Sequence, residues 1–241
     1  GSYVRAERQM ATKASWVASA APARTRPVPE TVVADTLMES FVIEGGRPLH
    51  GSVRVAGNKN AALPIIAAAL LAEEPVTLRN VPAIRDVATM LDLVADLGVE
   101  VDIQGGGVVR LAAHDVHKTE LDAELCTQIR ASILLAGPLV ARWGEAIVPP
   151  PGGDVIGRRR LDTHIHALGR LGADISADRR LHLTANGLVG ARVFLDEASV
   201  TGTENAVMAP PLPQAETTIA HAARESPGQD LGHLLASPRR H

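Results

Sequence analysis

Residues 74–102 read EPVTLRNVPAIRDVATMLDLVADLGVEVD and contain the pattern from which the fold can be predicted. The β-branched run PVTL is typical of a short strand. In VATMLDLVADLG, apolar residues recur at spacings of three and four, which is the period of an amphipathic helix. Gly98 suits the end of that helix, and VEVDI begins another strand, joined to VVRLAA by the glycines 105–107. The stretch therefore predicts a strand, a helix and a hairpin of two strands.

The same pattern returns along the chain. Related segments begin at Glu145 and Glu216, and the interval from Glu74 to Glu145 equals that from Glu145 to Glu216. We call this the repeat interval. Helical segments precede the first two strands: NAALPIIAAALLA, residues 60–72, and TQIRASILLAGPLVA, residues 127–141. A fixed period of this kind indicates a repeated supersecondary unit of helix, strand, helix and two strands in cyclic order.

The repeat predicts the domain organisation and the fold class. We expect units at about residues 51–126, 127–197 and 198–241, with the third unit incomplete. Helices as apolar as residues 61–72 should be buried on all sides, which indicates an α/β fold with strands packed around interior helices. The third copy departs from the others, because the segment that matches its first helix contains Pro210, Pro211 and Pro213. A proline inside a helix destabilises the helix by about 3 kcal/mol.

The composition of the 241 residues is typical of a globular protein, with 46% hydrophobic and 21% charged residues. A net charge of −3 and 2% aromatic residues argue against nucleic-acid binding. No apolar run reaches the roughly 18 residues of a membrane span. Residues 1–38 are rich in Ala, Arg, Pro and Ser and are expected to be a disordered extension before a domain at 39–241.

Lys59 and Asn60 stand where a strand passes into a helix, in VAGNKNAALP. A lysine at the start of a helix favours an anion, because the helix dipole adds positive potential there. The alternative is a solvated lysine beside an asparagine cap. Arg130 follows Lys59 by the repeat interval, so two units carry a cation at the same structural position. This equivalence favours a shared anion site.

A second charged stretch, PPPGGDVIGRRRLD, covers residues 149–162. Its glycines permit close backbone approach, and its three arginines, Arg158, Arg159 and Arg160, can bind phosphate or carboxylate in bidentate fashion. Asp154 can exchange a proton with a bound anionic substrate. The alternative is a turn that contains an aspartate and is followed by an exposed basic patch.

Other chemical motifs are weak or absent. The two histidines of HIH, residues 164–166, are two positions apart and do not share a helix face, which argues against a metal site. The sequence contains no dinucleotide fingerprint, P-loop or GxSxG motif, so neither a nucleotide site of those two types nor a serine nucleophile of that type is supported. The single cysteine, Cys126, excludes an internal disulfide, suits a reducing cytoplasm and is expected in the core.

Four segments together resemble the UDP-N-acetylglucosamine enolpyruvyl transferases of peptidoglycan synthesis. They are residues 51–82, 129–142, 150–165 (PPGGDVIGRRRLDTHI) and 199–209 (SVTGTENAVMA). The resemblance extends from about Met38 to Leu235. It implies repeated βαβαββ units arranged as an inside-out α/β barrel, in agreement with the repeated pattern described above.

The resemblance also implies a reaction. The enolpyruvyl group of phosphoenolpyruvate passes to the 3′-hydroxyl of UDP-N-acetylglucosamine, and inorganic phosphate leaves, without a metal or organic cofactor. This is the first committed step of cell-wall synthesis, on which cell shape and division depend, and it takes place in the cytoplasm.

Site residues follow from matching positions in the family. Asp154 falls on a mobile-loop position that commonly holds cysteine and in some members aspartate, and it is the implied general acid. Lys59, Asn60, Arg130 and Arg159 fall on substrate-binding positions. The implied nucleotide-binding residues are Arg160, Leu161, Asp162, Thr163, Glu197, Ala198, Ser199 and Val200, although many members have proline where this chain has Arg160.

The family enzymes are about twice as long and have a second domain, which carries the proposed general base. Two hypotheses therefore follow. In the first, the chain is a truncated or split transferase that associates with a complementary half-chain. In the second, it is a non-catalytic remnant that binds a UDP-sugar or a partner chain.

Overall fold

The computed structural model describes residues 4–5, 46, 48, 50–53, 55–153, 161–209, 216–224, 231–232 and 234–235. Its contacts divide the chain into two units. One comprises Gly1–Arg8 and Ala56–His241, and the other comprises Gln9–Val55. Within the described part of Gln9–Val55, the side chains of Val53 and Val55 are 90% and 61% exposed. The elements described below belong to the larger unit.

The strands and helices follow the repeated order that the sequence predicts. The strands are β1 (Val4–Arg5), β2 (Val76–Leu78), β3 (Glu100–Gly105), β4 (Val108–Ala112), β5 (Glu145–Val148), β6 (Asp174–Ala177), β7 (Leu181–Thr184), β8 (Arg192–Phe194) and β9 (Thr218–Ala220). The helices are α1 (Lys59–Ala68), α2 (Arg85–Asp96), α3 (Ala123–Gln128), α4 (Ala136–Trp143), α5 (Asp162–Arg170) and α6 (Val200–Met208). Two 3₁₀ segments, Ala69–Leu71 and Arg130–Leu135, follow α1 and precede α4.

Sheet topology repeats with the sequence. Strands β2, β4 and β3 form an antiparallel sheet in that order, and strands β5, β7 and β6 form an equivalent one. Val76 pairs with Leu111 in the first sheet, and Ile147 pairs with His182 in the second. Ile147 follows Val76 by the repeat interval, and His182 follows Leu111 by the same interval. This agreement of register confirms the repeated unit. Strand β1 lies parallel to β2, which the expectation of a disordered extension did not include.

The interior of the unit is helical. Helix α1, the 3₁₀ segment Arg130–Leu135 and helix α6 contact one another, and α4 also packs against α6. Their apolar side chains are buried, as at Ile66, Ile133 and Leu139, whereas most of β3 and β6 is exposed. Burial of this apolar surface is the main driving force for folding. The prediction of strands around interior helices is confirmed.

The predicted helix at 127–141 is divided in the structure. Helix α3 ends at Gln128, and Ile129 is extended with φ −137° and ψ 138°. The chain then continues as the 3₁₀ segment and α4. Ser132 stabilises the break, because its hydroxyl donates to the Ile129 carbonyl at 3.1 Å. In the third copy, α6 ends at Met208, before Pro210, which agrees with the helix-breaking role of proline.

Local predictions for the first copy hold. Helix α2 buries Val87, Met90 and Val94 on one face, and Gly98 follows it with φ +107°. The glycines 105–107 all have positive φ and connect β3 to β4. Cys126 is fully buried, as expected. In the part of the chain that the structure describes, every helix is too short or too polar to cross a bilayer.

Candidate functional site

The candidate site is built at the starts of the interior helices. Lys59 is the first residue of α1, and Arg130 is the first residue of the equivalent 3₁₀ segment. The Lys59 ammonium is exposed and donates to the Asp86 carboxylate of α2 at 2.8 Å. The N-cap of α1 is Asn58, whose side-chain oxygen accepts from the backbone N–H of Asn60 at 2.8 Å. Asn60 is exposed and supplies only its backbone to this cap.

A glycine pair directly before Asp154 lies against the residues that lead into the Arg130 segment. Gly152 N–H donates to the Cys126 carbonyl at 2.8 Å, and Gly153 N–H donates to the Thr127 carbonyl at 3.1 Å. A β-carbon added at Gly152 would lie 1.8 Å from the Thr127 oxygen, so only glycine fits. Gly153 has φ +87° and lies directly against the backbone nitrogen of Arg130. The residue before Asp154 therefore lies beside the backbone of Arg130.

The first copy has an equivalent contact. A β-carbon added at Gly57 would lie 1.8 Å from the Asn80 carbonyl oxygen. Gly57 precedes α1, and Asn80 follows β2, so the loop after the strand again reaches the start of the interior helix. In the third copy, Ala223 N–H donates to the Thr203 hydroxyl of α6 at 3.0 Å. In all three copies, the loop that follows the strand therefore contacts the start of the interior helix, although different residues make the contact.

The first turn of α5 contacts the loop before α6. Thr163 is buried, and its hydroxyl donates to the Asp196 carboxylate at 2.8 Å, with a longer contact of 3.3 Å to Glu197. The hydrogen bond from Thr163 is the main reason why the pKa of Asp196 lies below its usual range. This contact joins two of the sequence-predicted nucleotide-binding segments.

Helices α5 and α6 approach closely at their starts. Ser199 caps α6, because its hydroxyl accepts from Gly202 N–H at 3.2 Å. A β-carbon at Gly202 would lie 2.8 Å from the Thr163 methyl carbon, so glycine is required there. Residues 161–163 and 197–200 consequently form one continuous feature, which we call the α5–α6 surface. Asp162, Glu197 and Ala198 are exposed on it.

Three residues beside this surface were missed by sequence reasoning: His164, Thr201 and Asn205. His164 is 3% exposed, and its two ring nitrogens contact the Thr201 hydroxyl and the Asn205 amide. Burial, together with the nearby charge of Arg130, lowers the pKa of His164 to about 4. One signal pointed here: Thr201 follows Arg130 by the repeat interval.

The structure brings most, but not all, of the predicted site residues together. The α5–α6 surface contains seven of them: Leu161, Asp162, Thr163, Glu197, Ala198, Ser199 and Val200. Arg130 is close enough to His164, beside this surface, for its charge to lower the pKa of that ring. Lys59 pairs instead with Asp86. Asp154 and the arginines 158–160 lie outside the described residues. Among the residues that are described, no cluster of three or more His, Cys, Asp or Glu side chains could hold a metal ion.

The family model of EPSP synthase (3-phosphoshikimate 1-carboxyvinyltransferase) matches residues 43–236. The chain belongs to this family of enolpyruvyl-type transferases. The resemblance read from the sequence is confirmed.

Named relatives make the comparison more specific. The chain is 53% identical over 197 residues to the UDP-N-acetylglucosamine 1-carboxyvinyltransferase of Bradyrhizobium diazoefficiens, a match that covers 82% of the chain and 46% of that relative. It is 53% identical over 198 residues to the enzyme of the same name from Treponema pallidum, covering 82% of the chain and 47% of the relative. The chain therefore spans less than half the length of these relatives.

Solved structures support the fold. The enolpyruvyl transferase NikO from Streptomyces tendae superposes with a TM-score of 0.68 at 25% identity, over 79% of this chain and 45% of that one. EPSP synthase from Acinetobacter baumannii superposes with a TM-score of 0.58 at 18% identity, over 73% and 42% respectively, and supports the fold alone. The prediction of an α/β fold of the enolpyruvyl transferase type is confirmed.

Proposed function

We propose that the chain contributes to transfer of the enolpyruvyl group from phosphoenolpyruvate to the 3′-hydroxyl of UDP-N-acetylglucosamine. The observation that carries this proposal is the 53% identity to a UDP-N-acetylglucosamine 1-carboxyvinyltransferase over 197 residues. The reaction would serve peptidoglycan synthesis in the cytoplasm, and through it cell shape and division. The 3′-hydroxyl loses its proton to a base as its oxygen bonds to the central carbon of the enol, and the methylene carbon gains a proton. Loss of a proton from that carbon then restores the double bond as the carbon–oxygen bond to phosphate breaks and phosphate leaves.

In this proposal the chain supplies the acid and much of the binding surface. Asp154 gives a proton to the methylene carbon of the enol, and Arg130 and Arg159 hold the phosphate. Lys59 and Asn60 contact both substrates. The α5–α6 surface, together with Arg160, holds the nucleotide. Support comes from the close approach of Gly153, the residue before Asp154, to the backbone of Arg130.

A second candidate function is binding without turnover. It is favoured by the match to only 46% of the relative's length, since residues contributed by the other half are needed for the family reaction. In this case the chain binds UDP-N-acetylglucosamine on the α5–α6 surface and either acts alone or docks with a complementary chain. Domain limits of 1–38 and 39–241 remain part of the proposal.

Release of phosphate from phosphoenolpyruvate, with UDP-N-acetylglucosamine and the complementary half-chain present, distinguishes the two functions. Asp154→Ala should lower the rate about 10²- to 10⁴-fold, which is the usual effect of losing a general acid. Asp154→Cys is the matched control, because the family commonly has cysteine there, and it should keep most of the rate. Equal rates in the chain and in Asp154→Ala would exclude Asp154 as the acid. No release, with nucleotide binding retained in calorimetry, would favour the binding function.

A further inference from the structure

A buried polar group lies behind the α5–α6 surface and has no role in the proposed reaction. Asn205 of α6 is fully buried, and it contacts α4, the 3₁₀ segment and α5. A buried amide without partners is costly, whereas a fully bonded one fixes its neighbours in a single arrangement. The partners of Asn205 therefore determine what it holds in place.

Two backbone groups fix the orientation of the Asn205 amide. Gly137 N–H donates to Asn205 Oδ1 at 2.9 Å, and Asn205 Nδ2 donates to the Ile133 carbonyl at 2.8 Å. A backbone N–H can only donate and a carbonyl can only accept, so the oxygen and nitrogen of the amide cannot be exchanged.

This orientation determines the tautomer of His164. Asn205 Nδ2 has a second hydrogen, and His164 Nδ1 lies 2.9 Å from that nitrogen. His164 Nδ1 must therefore accept, and the ring proton must be on Nε2. His164 Nε2 lies 3.2 Å from the Thr201 hydroxyl oxygen and donates to it. A second proton on the ring would put two donors face to face at Asn205.

The series of hydrogen bonds from Asn205 through His164 ends at Thr201. Its hydroxyl oxygen accepts from His164, so the hydroxyl hydrogen remains available to a further acceptor. Thr201 is partly exposed in the first turn of α6, next to Ser199 and Val200 of the α5–α6 surface. It also occupies the third copy of the position held by Lys59 and Arg130, again one repeat interval further along the chain. Two copies therefore carry a cation there, and the third carries a hydroxyl.

We infer that Asn205 and His164 are positioning residues, which hold Thr201 so that its hydroxyl donates to an oxygen of the bound sugar nucleotide. The identity of that ligand rests on the proposed function, whereas the tautomer of His164 follows from the contacts alone. Because the neutral ring already donates to Thr201, this hydrogen-bond network needs no charge on His164. The burial that lowers its pKa keeps it in this form at neutral pH.

The first test is the tautomer in the full chain without ligand. A long-range proton–nitrogen correlation spectrum of the nitrogen-15-labelled chain should show His164 neutral, with its proton on Nε2. Asn205→Asp keeps an acceptor for Gly137 but has no hydrogen for His164 Nδ1, so this tautomer should be lost. A proton on Nδ1 in the unsubstituted chain would overturn the inference, whatever the ligand.

The second test is calorimetry with UDP-N-acetylglucosamine. Thr201→Val keeps the shape but removes the donor and should weaken binding about three- to tenfold, the usual worth of one hydrogen bond. Thr201→Ser keeps the donor and should bind within about twofold of the unsubstituted chain on the same scale. Unchanged binding by Thr201→Val would overturn the inference and leave the proposed function intact. Absence of binding by the unsubstituted chain would instead refute the proposed function together with this ligand contact, and the spectrum would still decide the tautomer.

Discussion

Single atoms decide how the candidate site is assembled. Gly152 can lie against the Thr127 carbonyl only because it has no side chain, and the first copy achieves an equivalent contact through Gly57. In the second copy the glycine, Gly152, lies in the loop after the strand, whereas in the first copy the glycine, Gly57, lies just before the helix. A close backbone contact of this kind requires one glycine, but it does not require a particular partner to provide it.

Gly152→Ala should destabilise the chain by about 1–3 kcal/mol, as overpacking usually does, because the new β-carbon would overlap the Thr127 carbonyl. The measurement is the free energy of unfolding in urea. Gly169→Ala in α5 is the matched control. Its β-carbon would have only an ordinary contact of 3.7 Å with Ile175, so better helix propensity should make it neutral or stabilising by up to about 1 kcal/mol. Equal effects of the two substitutions would contradict the close contact.

His164 should make folding depend on pH. Its pKa falls from 6.5 in the unfolded chain to about 4 in the folded one, chiefly because it is buried. The resulting stability is fully present above pH 6.5 and is lost as the pH falls towards 4, since only the unfolded chain then takes up the proton. The loss should reach about 3 kcal/mol, at about 1.4 kcal/mol for each pKa unit.

Unfolding free energies of the chain and of His164→Gln, measured from pH 7 to pH 4, check this prediction. The substituted chain should lose less stability over that range, because glutamine does not titrate. Parallel curves for the two proteins would mean that His164 does not change its pKa on folding.

At the scale of elements, the spacing of the interior helices depends on the contact between α4 and α6. A β-carbon at Gly137 would lie 2.7 Å from Asn205 Oδ1 and 2.9 Å from the Asn205 carbonyl oxygen. The two residues are 68 positions apart in the chain. Gly137 therefore permits the close approach, and Asn205 bonds across it.

Gly137→Ala and Asn205→Ala should each destabilise the chain by about 1–3 kcal/mol, the first by overpacking and the second by leaving buried backbone groups unpaired. Because both act on one contact, the double substitution should cost about 0.5–3 kcal/mol less than the sum of the single ones. Urea unfolding of the four proteins in this cycle provides the measurement. Strict additivity would show that the two helices do not depend on this contact.

At the scale of the whole molecule, the chain holds repeated units but matches less than half of its relatives' length. The resemblance implies that the general base of the proposed reaction lies in the second half of such an enzyme. We therefore expect the chain to associate with a separately expressed polypeptide that corresponds to the unmatched part of the Bradyrhizobium relative.

Sedimentation of the mixture should show a one-to-one complex, and phosphate release should require both chains. The same mixture made with Asp154→Ala is the control, and it should form the complex without releasing phosphate. Failure of the two chains to associate would leave nucleotide binding by the single chain as the function to pursue.

The repeated unit, the types of its elements and the family could all be predicted from the amino-acid sequence. These properties are recorded in local patterns: the amphipathic period of α2, the glycines after β3, the apolar run of α1 and the recurrence at the repeat interval. Each element can be read within a short window, because helix and strand periods come from backbone geometry. The position of Thr201 was also visible in the repeat, although its importance was not.

The contacts between side chains of different elements became visible only in the folded chain. His164 and Asn205 are 41 residues apart and lie within two separately predicted segments, and neither segment reveals that they share a hydrogen bond. The break at Ile129 and the pairing of Lys59 with Asp86 were equally hidden in the sequence. The physical reason is that periodicity reports which face of an element is buried, whereas contacts between elements depend on how closely the packed backbones approach, and here glycines 137, 152 and 202 set those distances.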